Sequence, residues 1–317
     1  MRLWQQVMIF LARNKAIKDF IQSRAAMSDL AKRFVGGKNV QEAIQKSQLL
    51  KSQQRNSSLF YLGEYVEELS VIDQTILELK AIIALLGTSN LDIHISVDPT
   101  QIGYQIDKKI CHENAFVLAR EIKNAIKQNG TLRNFLMIDM EDSTVTESTI
   151  KLYNELIAAS LPAAITLQAY LLRSENDLRN IVKNGGAVRL VKGAFAEKKD
   201  IAYTKRTSID ENYIKLAEIM LSDEARLKGF YPIFATHDSK IAERIIALAD
   251  KQGWSKKEYE FEMLYGVQVE LQNELIQKGE QLRLYLPFGT DWWSYAVRRV
   301  GESPKNAKFL LKTLTAI

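Results

Sequence analysis

A single cysteine, Cys111, in 317 residues excludes an internal disulfide and every metal site built from several cysteines. The three histidines, His94, His112 and His237, lie far apart and show no HxxxH-type spacing, so the sequence predicts no metal site. There are only 5 prolines, and no Pro/Gly/Ser-rich linker or low-complexity tract divides the chain. Charge of one sign hardly predominates: 43 basic against 38 acidic residues leave +5. That is too little to point to nucleic acid, and no basic run interleaved with aromatics supports one. It does permit loose attraction to an anionic membrane surface. The want of disulfides fits a reducing, cytoplasmic compartment.

Long apolar runs are also missing. The first residues, MRLWQQVMIFLARNKAIKDF, are basic and amphipathic with no acid before Asp19, a pattern shared with transit peptides. Their apolar run, Val7 to Ala12, is too short for a signal-peptide core or a membrane span. The pattern continues through Ile17, Phe20, Ile21 and Leu30, so this stretch reads as mature helix, lying on a membrane or capping the fold.

What the chain does have is 46% hydrophobic residues, enough for a substantial core. Short β-branched or aromatic runs recur at 58–64, 91–98, 134–141, 163–170, 187–195, 231–238, 259–266 and 282–289. Between them lie segments with apolar residues at i, i+3, i+4 and i+7. Eight strand–helix units predict an α/β fold, a (β/α)8 TIM-type barrel over residues 57–317, preceded by a helical segment over 1–56. Polar groups gather at the strand ends: Glu64, Asp98, Asp139 and Glu141, Gln168, Arg189 and Lys192, Thr236 to Asp238, and Glu262. The strand starts read as apolar or plain by comparison. Barrel enzymes build their sites at the C-terminal strand ends, so these groups are expected to form one ring. A doubly wound open sheet is disfavoured, because GGAVRLVKG places its glycines on either side of a strand rather than in a dinucleotide loop.

Near the C-terminus, YAVRRVGE puts Tyr295, Arg298, Arg299 and Glu302 within about two helical turns. Two guanidiniums with a carboxylate three residues beyond the second can grip a small carboxylate from two directions. The plainer reading of a lone RRxxE is a solvated helix face.

RLVKGAF, FATHD, FEMLYG and YLPFG…YAVRRVGE, in this order, resemble the proline dehydrogenase family. The likeness begins near RFVGG (33–37) and passes through YLGE (61–64), ISVDPTQIG (95–103), IDMEDS (138–143) and LQAY (167–170). It implies a distorted barrel that binds FAD, with the last helix over the mouth. It also implies hydride transfer from L-proline to flavin N5, giving 1-pyrroline-5-carboxylate, with a membrane quinone reoxidising the flavin. The chain is then expected in the cytoplasm, with a peripheral contact on the inner face of the membrane.

On this resemblance Arg298 and Arg299 match the carboxylate clamp, and Glu302 the acid that holds the second arginine. Such positioning is worth several kcal/mol, about 7–11 in ideal cases. Tyr285 matches a tyrosine against the substrate ring, while Leu264 and Ala194 match apolar walls that exclude water. Asp139 matches an acid beneath the substrate, hydrogen-bonded into the site, with Met140 beside the cofactor and bulk water taking the amine proton. Arg189 matches a charge near flavin N5 that favours the reduced anion, and Gln168 a hydrogen bond to the ring edge. Lys192, Gly193 and Ala194 match the segment running along the cofactor, Gly193 allowing close approach. Thr204 and Lys205 resemble the pair meeting the outer part of FAD, and Thr236 and His237 match flavin contacts.

Three positions depart from the family pattern. Asp98 stands where lysine is usual, facing the acid that corresponds to Glu64. Two carboxylates at about 4 Å repel by roughly 4 kcal/mol at an effective dielectric of 20. A neighbour such as Lys192, a proton or a rearranged loop is expected to relieve this. Phe195 replaces a frequent tyrosine, and Asp238 a frequent asparagine. The alternatives left by Asp98 are a barrel acting on another cyclic or secondary amino acid, and a non-catalytic flavin-binding relative.

Overall fold

The computed structural model describes residues 32–63, 66, 68–126 and 133–302, with only the backbone of 294 and 300–302. The basic stretch at the start of the chain, Glu64 and the Glu302 side chain therefore lie outside the described residues. Each of the eight strand runs forms a strand: β1 (Arg55–Tyr61), β2 (His94–Val97), β3 (Phe135–Ile138), β4 (Ala163–Gln168), β5 (Ala187–Val191), β6 (Tyr231–Ala235), β7 (Glu260–Leu264) and β8 (Leu282–Phe288). They pair in chain order, all parallel, and close into a barrel. Closure is made by β1 and β8, in register from Arg55↔Leu282 to Tyr61↔Phe288. Helices α1 (Val40–Ser52), α2 (Leu69–Gly87), α3 (Lys108–Ala125), α4 (Ser143–Ala158), α5 (Ser174–Lys183), α6 (Arg206–Met220), α7 (Asp223–Leu227), α8 (Ser239–Lys251) and α9 (Val269–Gln277) precede and alternate with the strands, and α10 (Trp293–Glu302) follows β8. No helix among the described residues is long and apolar enough to cross a membrane.

Caps fix where the helices begin. Asn39, Asp107, Asp142 and Asp238 each accept a hydrogen bond from a backbone N–H of the following first turn, which fills an otherwise orphaned donor. Asp238 thus has a structural task at the head of α8, where asparagine would also serve. The RFVGG segment joins the strand layer: Gly36 N–H donates to the Pro287 carbonyl at 2.7 Å. A Cβ on Gly36 would lie 2.5 Å from Leu286, so the backbone fits there only without a side chain.

Strand alternation then sorts residues between two cores. On β7, Phe261 and Met263 join the layer between strands and helices, while Glu260 and Glu262 take the other face. On β8, Leu282, Leu284 and Leu286 do the same, and Arg283 and Tyr285 point inward. One side of the barrel interior is apolar, built from Met137, Ala164, Ala187 and Ile233 with Tyr231 and Phe135. The other side is charged. This corrects the expectation that strand starts are plain: His94, Glu260 and Arg283, at or near the starts of β2, β7 and β8, are all buried. Arg283 donates to Glu260 at 2.6 Å, to Asp92 at 2.6 Å and to the Ser57 carbonyl at 2.9 Å.

Candidate active site

Asp139 sits just past β3 and receives three side chains. Tyr285 Oη donates to Oδ2 at 2.9 Å, Arg189 Nη2 donates to Oδ1, and Thr166 Oγ1 lies 3.5 Å from Oδ1. Arg189, from β5, is 4% exposed. Its Nε donates to Thr166 Oγ1 at 3.0 Å, and its Nη1 to Glu262 at 2.8 Å and Ser96 at 3.3 Å. A guanidinium carries five N–H groups, so one remains for a ligand after these four bonds. The Arg189 Cζ lies 5.3 Å from the centre of the Tyr285 ring, which stacks on Phe60 at 5.4 Å. Asp139, Arg189 and Tyr285, three residues far apart in sequence, therefore form one cluster at the C-terminal end of the barrel.

The neighbouring strand ends supply hydrogen-bonding edges. Gln168 Nε2 donates to the carbonyls of Met140 and Glu141, both at 3.2 Å, and its buried Oε1 has no partner. Met140, just past β3, and Thr236, just past β6, are buried. His237 Nε2 accepts from the Leu264 N–H at 3.0 Å, which leaves the proton on Nδ1. Burial, helped by the charge of Arg299, pushes the His237 pKa down to about 4, so the ring is neutral. An orphaned acceptor on Gln168, a spare donor on Arg189 and a neutral imidazole fit a flat ligand with polar edges, as a flavin has.

Helix α10 carries Arg299, whose charge acts on His237. The helix is anchored by Trp293, Tyr295, Ala296 and Val297, all buried, while Arg298 and Arg299 are half-buried. The Arg299 guanidinium lies 5.2 Å from the Tyr295 ring. Leu264, at the end of β7, is half-buried, and Ala194, in the loop after β5, is exposed. Thr204 and Lys205 are exposed immediately before α6, which Lys205 caps without a side-chain bond.

One expectation needs correcting. Lys192 does not relieve Asp98: its Nζ pairs with Asp210 at 2.5 Å and Asp238 at 3.1 Å. Burial alone would raise the Asp238 pKa, but Lys192 and Arg206 outweigh it and hold the carboxyl below its usual value. Asp98 instead opens a turn, its carbonyl accepting from Gln101 and Ile102. Gly193 has a protein reason for being glycine. Its φ is +107°, and a Cβ would lie 2.2 Å from the Tyr170 ring, so the neighbouring aromatic demands the close approach. Sequence reasoning missed Thr166 and Ser96, whose hydroxyls orient Arg189, and gave no partner to Glu262. The E-F-E alternation of β7 was the available signal, since it sends both acids to one face.

A closed (β/α)8 barrel whose interior joins Asp139, Arg189 and the half-buried Tyr285 in one hydrogen-bonded cluster defines a barrel enzyme. A family profile described as proline dehydrogenase matches residues 43–312, and the chain belongs to that family. It is 32% identical to "Proline dehydrogenase 2" of Bacillus subtilis (strain 168) over 90% of each chain. It is 29% identical to "Proline dehydrogenase" of Deinococcus radiodurans over 98% of this chain and 97% of that one. Among solved structures, proline utilization A from Bdellovibrio bacteriovorus superimposes with a TM-score of 0.78 at 21% identity, over 94% of this chain. This chain spans only 36% of that much longer protein, and the likeness concerns the fold.

Proposed function

We propose that this protein oxidises L-proline to 1-pyrroline-5-carboxylate, using FAD as bound cofactor and passing electrons to a membrane quinone. The observation that carries this reading is Arg189, fixed between Asp139 and Glu262 inside the barrel. FAD bound there supplies the hydride acceptor. Gln168, His237, Thr236, Met140 and Arg189 would hold its ring, and Lys192, Gly193, Ala194, Thr204 and Lys205 the rest. The neutral His237 can donate through Nδ1, and Arg189 places fixed positive charge beside the ring.

Arg298 and Arg299 would grip the substrate carboxylate, with Glu302 steadying the second. Tyr285 would pack against the pyrrolidine ring, its hydroxyl held by Asp139 and its face by Phe60. Leu264 and Ala194 would wall the site against water. Asp139 accepts from both Tyr285 and Arg189, so it acts as an organiser, and the amine proton leaves to solvent.

Asp98 favours a second reading, in which another cyclic or secondary amino acid is the substrate. Mixing the purified yellow protein with proline without oxygen separates the two. Bleaching of the flavin band by proline supports the first, and bleaching only by another amine supports the second. A colourless protein that refuses added FAD overturns both.

A further inference from the structure

Below the site, the barrel interior holds a charged group that the reaction as described does not use. His94, Glu260 and Glu262 bring one ligand atom each within 4.8 Å of one another. A divalent cation is a poor occupant, because both carboxylates already hold guanidiniums, Glu260 that of Arg283 at 2.6 Å and Glu262 that of Arg189 at 2.8 Å. A dication would sit against two fixed positive charges. A proton wire is also excluded. The hydroxyls of Ser96 and Ser58 link Arg189 to His94 at 3.3, 2.9 and 2.9 Å, but a guanidinium does not give up its proton and breaks the chain at its upper end.

What remains is the pairing itself. Glu262 is 2% exposed, and its Oε1 accepts from Arg189 Nη1, while Oε2 has no hydrogen-bond partner. Its carboxylate is thus given over to Arg189. Asp139 and Glu262 grip opposite nitrogens of one guanidinium, and Thr166 and Ser96 fix its plane. Asp139 also serves Tyr285, so Glu262 is the acid whose carboxylate bonds to Arg189 alone.

We propose that Glu262 is a positioning residue, which holds Arg189 at the mouth and sets how strongly that guanidinium favours negative charge on the bound flavin. This deepens the reading under Proposed function and rests on it. With both acids charged, the positive charge of Arg189 is largely cancelled. Making Glu262 neutral while keeping its shape and its acceptor unmasks that charge, so the anionic reduced flavin is favoured.

The test is Glu262→Gln in the FAD-loaded protein, with the midpoint potential followed by absorbance and melting temperature measured on apo and holo forms. The expected result is a positive shift of at least tenfold in the two-electron equilibrium constant, about 30 mV. Proline affinity should stay within twofold, because the clamp lies on α10. A space-filling role predicts a silent glutamine, so a shift under threefold overturns the proposal. So does loss of FAD from a variant whose apoprotein melts normally. If Glu262→Gln does not fold, Glu262→Asp withdraws the carboxylate by one methylene and should shift the potential the same way; no shift overturns the proposal. Wild-type protein that binds no FAD, or is not bleached by proline, fails at the level of function instead, and the two failures are told apart before the variant is made.

Discussion

The barrel holds two arginines, each gripped by two carboxylates, one at the floor and one at the mouth. Arg283 is fully buried between Glu260 and Asp92, with the Ser57 carbonyl accepting a further bond. Tyr231 donates to Glu260 from beside it. Arg189 lies between Asp139 and Glu262, but there Asp139 also takes the hydroxyl of the half-buried Tyr285. Each guanidinium makes four hydrogen bonds, but Arg283 is sealed from solvent, whereas Arg189 adjoins the half-buried Tyr285 ring. The same chemical unit serves in one place to close a core and in the other to meet a ligand.

Breaking the floor should have the largest effect. Arg283→Met leaves Glu260 and Asp92 buried without their cation, and removing one partner of such a set costs about 3–5 kcal/mol. Chemical denaturation should read that loss, while any protein that still folds should keep its FAD. Loss of FAD with unchanged stability would reverse the assignment of the two regions.

Each region also holds one histidine, and both are kept neutral. Burial, then the charges of Arg283 and Arg189, hold the His94 pKa well below its usual value, and His237 is pushed down to about 4. A histidine with a lowered folded pKa leaves stability untouched above its unfolded value. Below about 6.5 the unfolded chain takes up protons that the folded one refuses, so stability falls as the pH drops toward 4. His237→Asn should flatten this fall by about 2 kcal/mol at pH 5, from the 1.5-unit interval below the unfolded value. Melting temperatures between pH 7.5 and 4.5 check it; parallel profiles would show that His237 titrates freely.

At the mouth itself, Arg299→Met should raise the proline KM tenfold to a hundredfold, as the loss of about 1.5–3 kcal/mol from a charged hydrogen bond implies. FAD content should not change, because Arg299 stands on α10 and the flavin-holding residues stand on strand ends. An unchanged KM would remove the clamp from this helix.

The two regions were not equally legible in the sequence. The mouth was, because Asp139, Gln168 and His237 stand at or near the ends of β-type runs, where a barrel must gather them. The eight strands were too, since each run is bounded by helical periodicity. The floor was not. His94 in LDIHISVD and Arg283 in LRLYLPFG look like isolated polar residues in apolar runs, and only closure of β8 on β1 shows that they share an interior. Long-range pairing of charges leaves no local pattern. Nor was the neighbour of Gly193 legible, because the ring that forbids a side chain there, Tyr170, belongs to a different strand run.

The smallest effect is expected at the position that departs most from the family pattern. Asp98 opens a turn through its backbone carbonyl, which accepts from Gln101 at 3.0 Å and Ile102 at 3.3 Å, and any residue supplies that carbonyl. Its side chain is half-buried near the rim, where a lysine head can reach solvent while its stem packs on apolar surface. Lys192, the obvious competitor for space and charge, is held away by Asp210 and Asp238. Asp98→Lys keeps that carbonyl and restores the residue usual in the family. It should leave proline turnover intact or lower KM, by adding a cation just past the end of β2. Steady-state kinetics with proline decide the matter: a collapse in activity from a variant that melts like wild type would give Asp98 a role in the reaction that a cation cannot fill, and would move the substrate assignment toward a different amine.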